Sequence, residues 1–98
     1  MLDLNEHELF IVRKILGTHL PGREVRAFGS RVTGKAKPSS DLDLAVMGDE
    51  PLPDAVHAEI VHDFEESDLP FRVDLLTWRD APASLRQAIE RDSVILNR

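Results

Sequence analysis

The 98-residue chain contains no cysteine, which excludes structural disulfides and thiolate metal sites and is compatible with a reducing cytosol. No apolar run approaches the roughly 20 residues of a membrane span, and the N-terminal residues offer no basic, apolar secretion signal. A cytoplasmic protein with no membrane partner is expected. Positive charge is also scarce: the net charge is −6, which disfavours sequence-independent attraction to nucleic acid, so direct nucleic-acid binding is not expected. Repeats, linkers and low-complexity stretches are missing. A chain this short is expected to form one domain over residues 1–98, burying only about 60–65% of its surface.

What the chain does have is an acid pair, Asp41 and Asp43, in the stretch Ser40-Asp41-Leu42-Asp43-Leu44-Ala45-Val46. In a strand, residues i and i+2 share a face with Cα atoms about 6.5 Å apart, so both carboxylates point the same way. Leu42, Leu44 and Val46 then face the opposite side, as a strand requires when one face packs on a core and the other lines a cleft. Carboxylate oxygens suit Mg²⁺, and a pair of ions about 3.5–4 Å apart can clamp the attacking and leaving oxygens of a phosphoryl displacement. Two carboxylates hold such a pair poorly. A third acid, Asp74, lies in the apolar, strand-like run Phe71-Arg72-Val73-Asp74-Leu75-Leu76.

Upstream, the strand-like run Val25-Arg26-Ala27-Phe28 is broken by Gly29-Ser30, just before residues able to start a short helix. Amides at a strand-to-helix turn form an anion site, and glycine allows a phosphate to approach the backbone closely. Ser30 can add a hydroxyl donor, and Arg31 beside the turn is a candidate phosphate ligand. Lys35 and Lys37 complete the densest basic cluster of an acidic chain, although Lys37 also reads as part of a solvated loop. Ser40 is either a turn residue or a group that orients Asp41 or touches a phosphate.

Taken together, Gly29-Ser30-Arg31 with Gly34, then Ser40-Asp41-Leu42-Asp43-Leu44, and later Val73-Asp74-Leu75, resemble the signature of the DNA polymerase beta-like nucleotidyltransferases. The short length resembles the minimal nucleotidyltransferases, antitoxins whose partner is a helical HEPN toxin. The resemblance implies that Asp41, Asp43 and Asp74 are the catalytic, metal-binding acids for two Mg²⁺ ions, and that Gly29 and Ser30 hold the phosphates of ATP. It further implies transfer of AMP to a tyrosine hydroxyl of the HEPN toxin. The competing expectation is a non-catalytic binding module that neutralises the toxin by covering it. Transfer to a small molecule such as an aminoglycoside is disfavoured, because no acceptor-binding domain fits in this length.

Around these motifs the pattern predicts an α/β (α+β) fold: a small mixed β-sheet with helices packed on the face away from the acids, as in the polymerase beta-like nucleotidyltransferases. Asn5 is expected to cap a helix over about 6–19 with Leu9, Val12, Ile15 and Leu16 on its inner stripe. Asp54 is expected to cap a second helix over about 55–67, Asp80 and Pro82 to start a third ending near Arg91, and Val94-Ile95-Leu96 to add an edge strand. His57 and His62, five apart, do not share a helix face, so a zinc site is not expected and both are read as exposed. Trp78 either closes the core edge or stacks on a base or partner.

Overall fold

The computed structural model describes residues 2–97. Helix α1 spans Glu6–His19 and starts with reciprocal bonds between Asn5 and Glu8: the Glu8 amide donates to Asn5 Oδ1 at 2.8 Å and the Asn5 amide to Glu8 Oε1 at 3.0 Å. These bonds satisfy backbone donors that the first turn leaves without partners. The chain turns at Pro21-Gly22 into β1, Val25–Phe28, passes the one-turn helix α2, Ser30–Thr33, and enters β2, Leu42–Val46. Helix α3, Asp54–Glu65, then carries it to β3, Val73–Thr77. A 3₁₀ turn at Trp78–Asp80, helix α4, Ala83–Arg91, and strand β4, Val94–Asn97, complete the fold.

The sheet order is β3-β2-β1-β4, with β1 antiparallel to β2 and β4 and β2 parallel to β3. The sheet is therefore mixed, and the parallel pair is joined through α3 because parallel strands need a long crossover. Alternation along β2 drives Leu42, Leu44 and Val46 into complete burial on one face, against Val12 and Leu16 of α1 and Ile60 and Phe64 of α3. Each such Leu or Val contributes about 1.5–3 kcal/mol when withdrawn from water.

Helix α4 departs from the expected one-sided layer. Phe28 is opposite Asp43 in the β1–β2 register and Ala45 is two residues beyond Asp43, so both lie on the acid-bearing face, and Ile89 of α4 packs on them. Leu76, Trp78 and Leu85 extend this second cluster, so Trp78 closes a core edge. The cause is apolar surface: Phe28 and Ala45 are strand residues that need cover on the side where Asp43 does not. Asp54 also departs from expectation. It is the first residue of α3, Pro53 stands at the cap position, and no side chain caps that end.

Candidate active site

The acid pair sits where β2 begins. Asp41 immediately precedes the strand and Asp43 is its second residue, and the zero-offset parallel register places Asp74 of β3 directly beside Asp43. Adjacent rungs of a sheet present their side chains to the same face, so three carboxylates from two strands share one surface. The crowding has a measurable cost. Burial, then the charge of Asp74, then that of Asp41 raise the Asp43 carboxyl from 3.8 to about 6. Like charges and desolvation both disfavour its ionised form, and a cation would relieve both.

On the other flank, β1 delivers Gly29 against Asp43. Gly29 has φ +82°, a backbone region that side chains rarely adopt, and a β-carbon placed there would collide with the Asp43 carboxylate oxygen. Glycine is thus required twice, for the turn and for the closeness of the acid. The Gly29 carbonyl closes the turn by accepting from the amides of Val32 at 3.0 Å and Thr33 at 3.1 Å. The Ser30 and Arg31 amides, first in α2, have no intrahelical acceptor by geometry. With a single turn of helix the macrodipole adds little, so these amides and the half-buried Ser30 hydroxyl are what the turn offers an anion.

Arg31 does something other than the expected phosphate contact. It is 5% exposed, its Nε and Nη2 donate to the Ser40 carbonyl at 3.0 and 2.9 Å, Nη1 donates to Asp3 O at 3.0 Å, and Nη2 also donates to Pro38 O at 3.1 Å. Its guanidinium lies 3.9 Å from the centre of the Phe71 ring. The fork is committed to backbone carbonyls and fastens the loop that ends in Asp41 to the N-terminal segment. Ser40 likewise serves its own loop, its hydroxyl accepting from the Lys37 amide at 2.8 Å, while Lys35 and Lys37 are exposed.

Arg72, which the sequence reading gave no role, donates from Nη2 to Asp41 Oδ2 at 3.0 Å. The i, i+2 rule that pairs Asp41 with Asp43 also puts Arg72 on the face of Asp74, a signal present in the sequence. The ion pair is exposed, 86% for Arg72 and 36% for Asp41, so solvent screens it and it adds little stability. Its effect is on direction. With Asp41 turned toward Arg72, no three His, Cys, Asp or Glu side chains among the described residues converge as a ready-made cation site. The shared face itself follows from the backbone register. His57 is not exposed as expected either: its Nε2 meets the Leu75 carbonyl at 3.0 Å on the outer edge of β3. His62 is exposed.

A turn that offers amides to an anion, set against carboxylates whose oxygens would suit a hard cation, is the layout of a phosphoryl-transfer centre. Comparison with known proteins makes the class specific. Residues 10–96 match the nucleotidyltransferase domain family, and the chain belongs to it. It is similar to the probable protein adenylyltransferase MntA of Haemophilus influenzae, with 46% identity over 97% of this chain and 83% of that protein. It is also similar to the protein adenylyltransferase MntA of Thermococcus cleftensis, with 31% identity over 96% of each. Among solved structures, a toxin–antitoxin crystallised with AMP-PNP superposes with TM-score 0.74 at 27% identity, covering 90% of this chain and 71% of that one. A spectinomycin adenyltransferase from Enterococcus with ATP and spectinomycin superposes with TM-score 0.56 at 25% identity, but this chain covers only 48% of it. Among the described residues no helix is long and apolar enough to cross a membrane.

Proposed function

We propose that this chain, acting as one catalytic unit, is a Mg²⁺-dependent nucleotidyltransferase that moves AMP from ATP to a tyrosine hydroxyl of a HEPN-type toxin and thereby serves as its antitoxin. The observation that carries this reading is the set of three carboxylates on one sheet face directly opposite the Gly29-Ser30 turn. The adenylyltransferase names of the two MntA relatives and the AMP-PNP-bound toxin–antitoxin neighbour support the donor and the partner. Oxygen-only donors and the raised Asp43 carboxyl fit a hard divalent cation. Asp41, Asp43 and Asp74 would hold it. Bound Mg²⁺ would supply charge neutralisation on the triphosphate and acidify the attacking hydroxyl.

In this reading the Gly29 turn and Ser30 hold the triphosphate. The acceptor oxygen forms a bond to the α-phosphorus, the bond from that phosphorus to the bridging oxygen breaks, and pyrophosphate leaves with its electron pair. Asp74, at the sheet edge, takes the proton of the hydroxyl. The reaction belongs in the cytoplasm, where ATP and a newly made toxin meet. The test is the intact mass of the HEPN-type protein encoded beside this chain, after incubation with the chain, ATP and Mg²⁺. Mass gains in steps of one AMP, absent with an Asp41→Ala/Asp43→Ala variant, are expected. A stable complex with no mass gain refutes catalysis and leaves neutralisation by coverage.

A further inference from the structure

Beside the acids, away from the phosphate turn, lies a groove of about 840 Å³ between α3 and the edge strand β3. Val61 and Phe64 of α3, with Leu69 and Phe71 of the connecting segment, give it an apolar lining. Asp41 and Asp74 line it too, so the groove is continuous with the acid face. The phosphate turn at Gly29 and Ser30 lies across β2 from this space.

Direction of approach comes first. Gly29 abuts Asp43 from β1, on the opposite side of β2 from β3, and α4 covers Phe28 and Ala45 on the same face. An in-line displacement needs the attacking oxygen opposite the leaving pyrophosphate. With the donor phosphates on the β1 flank, the acceptor is left the β3 flank, where the groove opens at Asp74.

The lining then selects the class of acceptor. Apart from the carboxylates that would hold the cation, the lining is the apolar set Val61, Phe64, Leu69 and Phe71 beside Glu65, which suits a polypeptide better than a phosphodiester backbone. The strand edge adds a main-chain element. The Leu42 amide donates to Arg72 O at 2.9 Å, and with the β2–β3 register this turns the backbone groups of Arg72, Asp74 and Leu76 toward β2 and those of Val73, Leu75 and Thr77 outward. His57 already takes the outward Leu75 carbonyl, so the outward groups of Val73 and Thr77 are the ones left for an added strand. An outward strand edge flanked by apolar pockets is the arrangement on which extended peptides add to sheets.

Resting on the catalytic reading above, we propose that this groove seats the acceptor as an extended polypeptide segment, basic where it passes Glu65, which presents its hydroxyl side chain to Asp74. Two variants test it: Leu69→Asp on the apolar lining, and Glu65→Lys at an exposed position where folding is not at stake. In transfer from ATP to the HEPN-type partner, both are expected to raise the acceptor KM at least tenfold, with the ATP dissociation constant unchanged. A photo-crosslinking residue at position 69 is expected to capture the partner segment that becomes modified, while one at exposed Phe10 on α1 does not. An unchanged acceptor KM in folded Glu65→Lys protein, or crosslinks from position 69 outside that segment, overturns the assignment. So does radiolabel from ATP recovered in RNA or in an aminoglycoside instead of protein. Crosslinking of the partner from position 69, together with no transfer by the wild-type chain, refutes the catalytic reading alone and leaves the docking site standing.

Discussion

Replacing Asp43 with asparagine should stabilise the metal-free protein at neutral and alkaline pH while abolishing transfer. The Asp43 carboxyl titrates at about 6 in the fold against 3.8 as its ordinary value, so between those values the folded state binds more protons than the unfolded one. Stability is then greatest below 3.8 and falls as pH rises through about 6. Full linkage over such a shift is about 3 kcal/mol, at 1.36 kcal/mol per pH unit. Asp43 is only half-buried and its neighbours face water, so after screening about 1–2 kcal/mol is expected. For a domain of this size, 1 kcal/mol moves Tm by about 4–8 °C. Differential scanning calorimetry in EDTA at about pH 8 should therefore show Asp43→Asn melting roughly 5–10 °C above the wild type, with the gap changing as pH falls below about 6 and settling only below 3.8, where both states carry the proton. Added Mg²⁺ should raise the wild-type Tm and leave the variant unmoved. A variant that melts at or below the wild type at pH 8, or a gain that persists in acid, would refute the argument that crowded carboxylates strain this face.

Gly29→Ala should eliminate transfer, since the new methyl displaces the Asp43 carboxylate, and should cost about 1 kcal/mol or more of stability from the positive φ alone; urea midpoints and a transfer assay measure the two effects separately. Arg31→Met should lower stability by about 2–4 kcal/mol, because it leaves the Asp3, Pro38 and Ser40 carbonyls without their donor. If Arg31 instead held a phosphate, urea midpoints would scarcely move and the KM for ATP would rise.

Local chemistry made much of this site readable. The i, i+2 spacing of Asp41 and Asp43 is a statement about strands, the Gly29-Ser30 break is a statement about turns, and the Asn5 cap is a statement about helix ends; each survives in the fold. What could not be read depends on contacts distant in sequence. Arg31 looks like a phosphate ligand because it adjoins the turn, but its surroundings are made by Asp3, twenty-eight residues earlier, and by the Phe71 ring, and no local pattern announces either. The side on which α4 lies follows from apolar surface that Phe28 and Ala45 leave uncovered, which depends on the β1–β2 register. Helical spacing says nothing of the His57 partner, a backbone carbonyl of an edge strand whose position follows only from the sheet order.

The unshifted pairing of β2 with β3 makes the hydrophobic core the gauge of the active site. Val73 and Leu75 are held on the underside by the packing of α3, and Asp74 stands above only because its neighbours are anchored below. A slip of one residue would send Asp74 into the core and lift two apolar side chains onto the acid face, so every molecule that folds stably also folds with its third acid in place. The segment over 66–70 can therefore change in length without moving the acid, provided β3 keeps its alternation, whereas deleting a single residue within 73–77 would disarm the site and unseat the core in the same stroke.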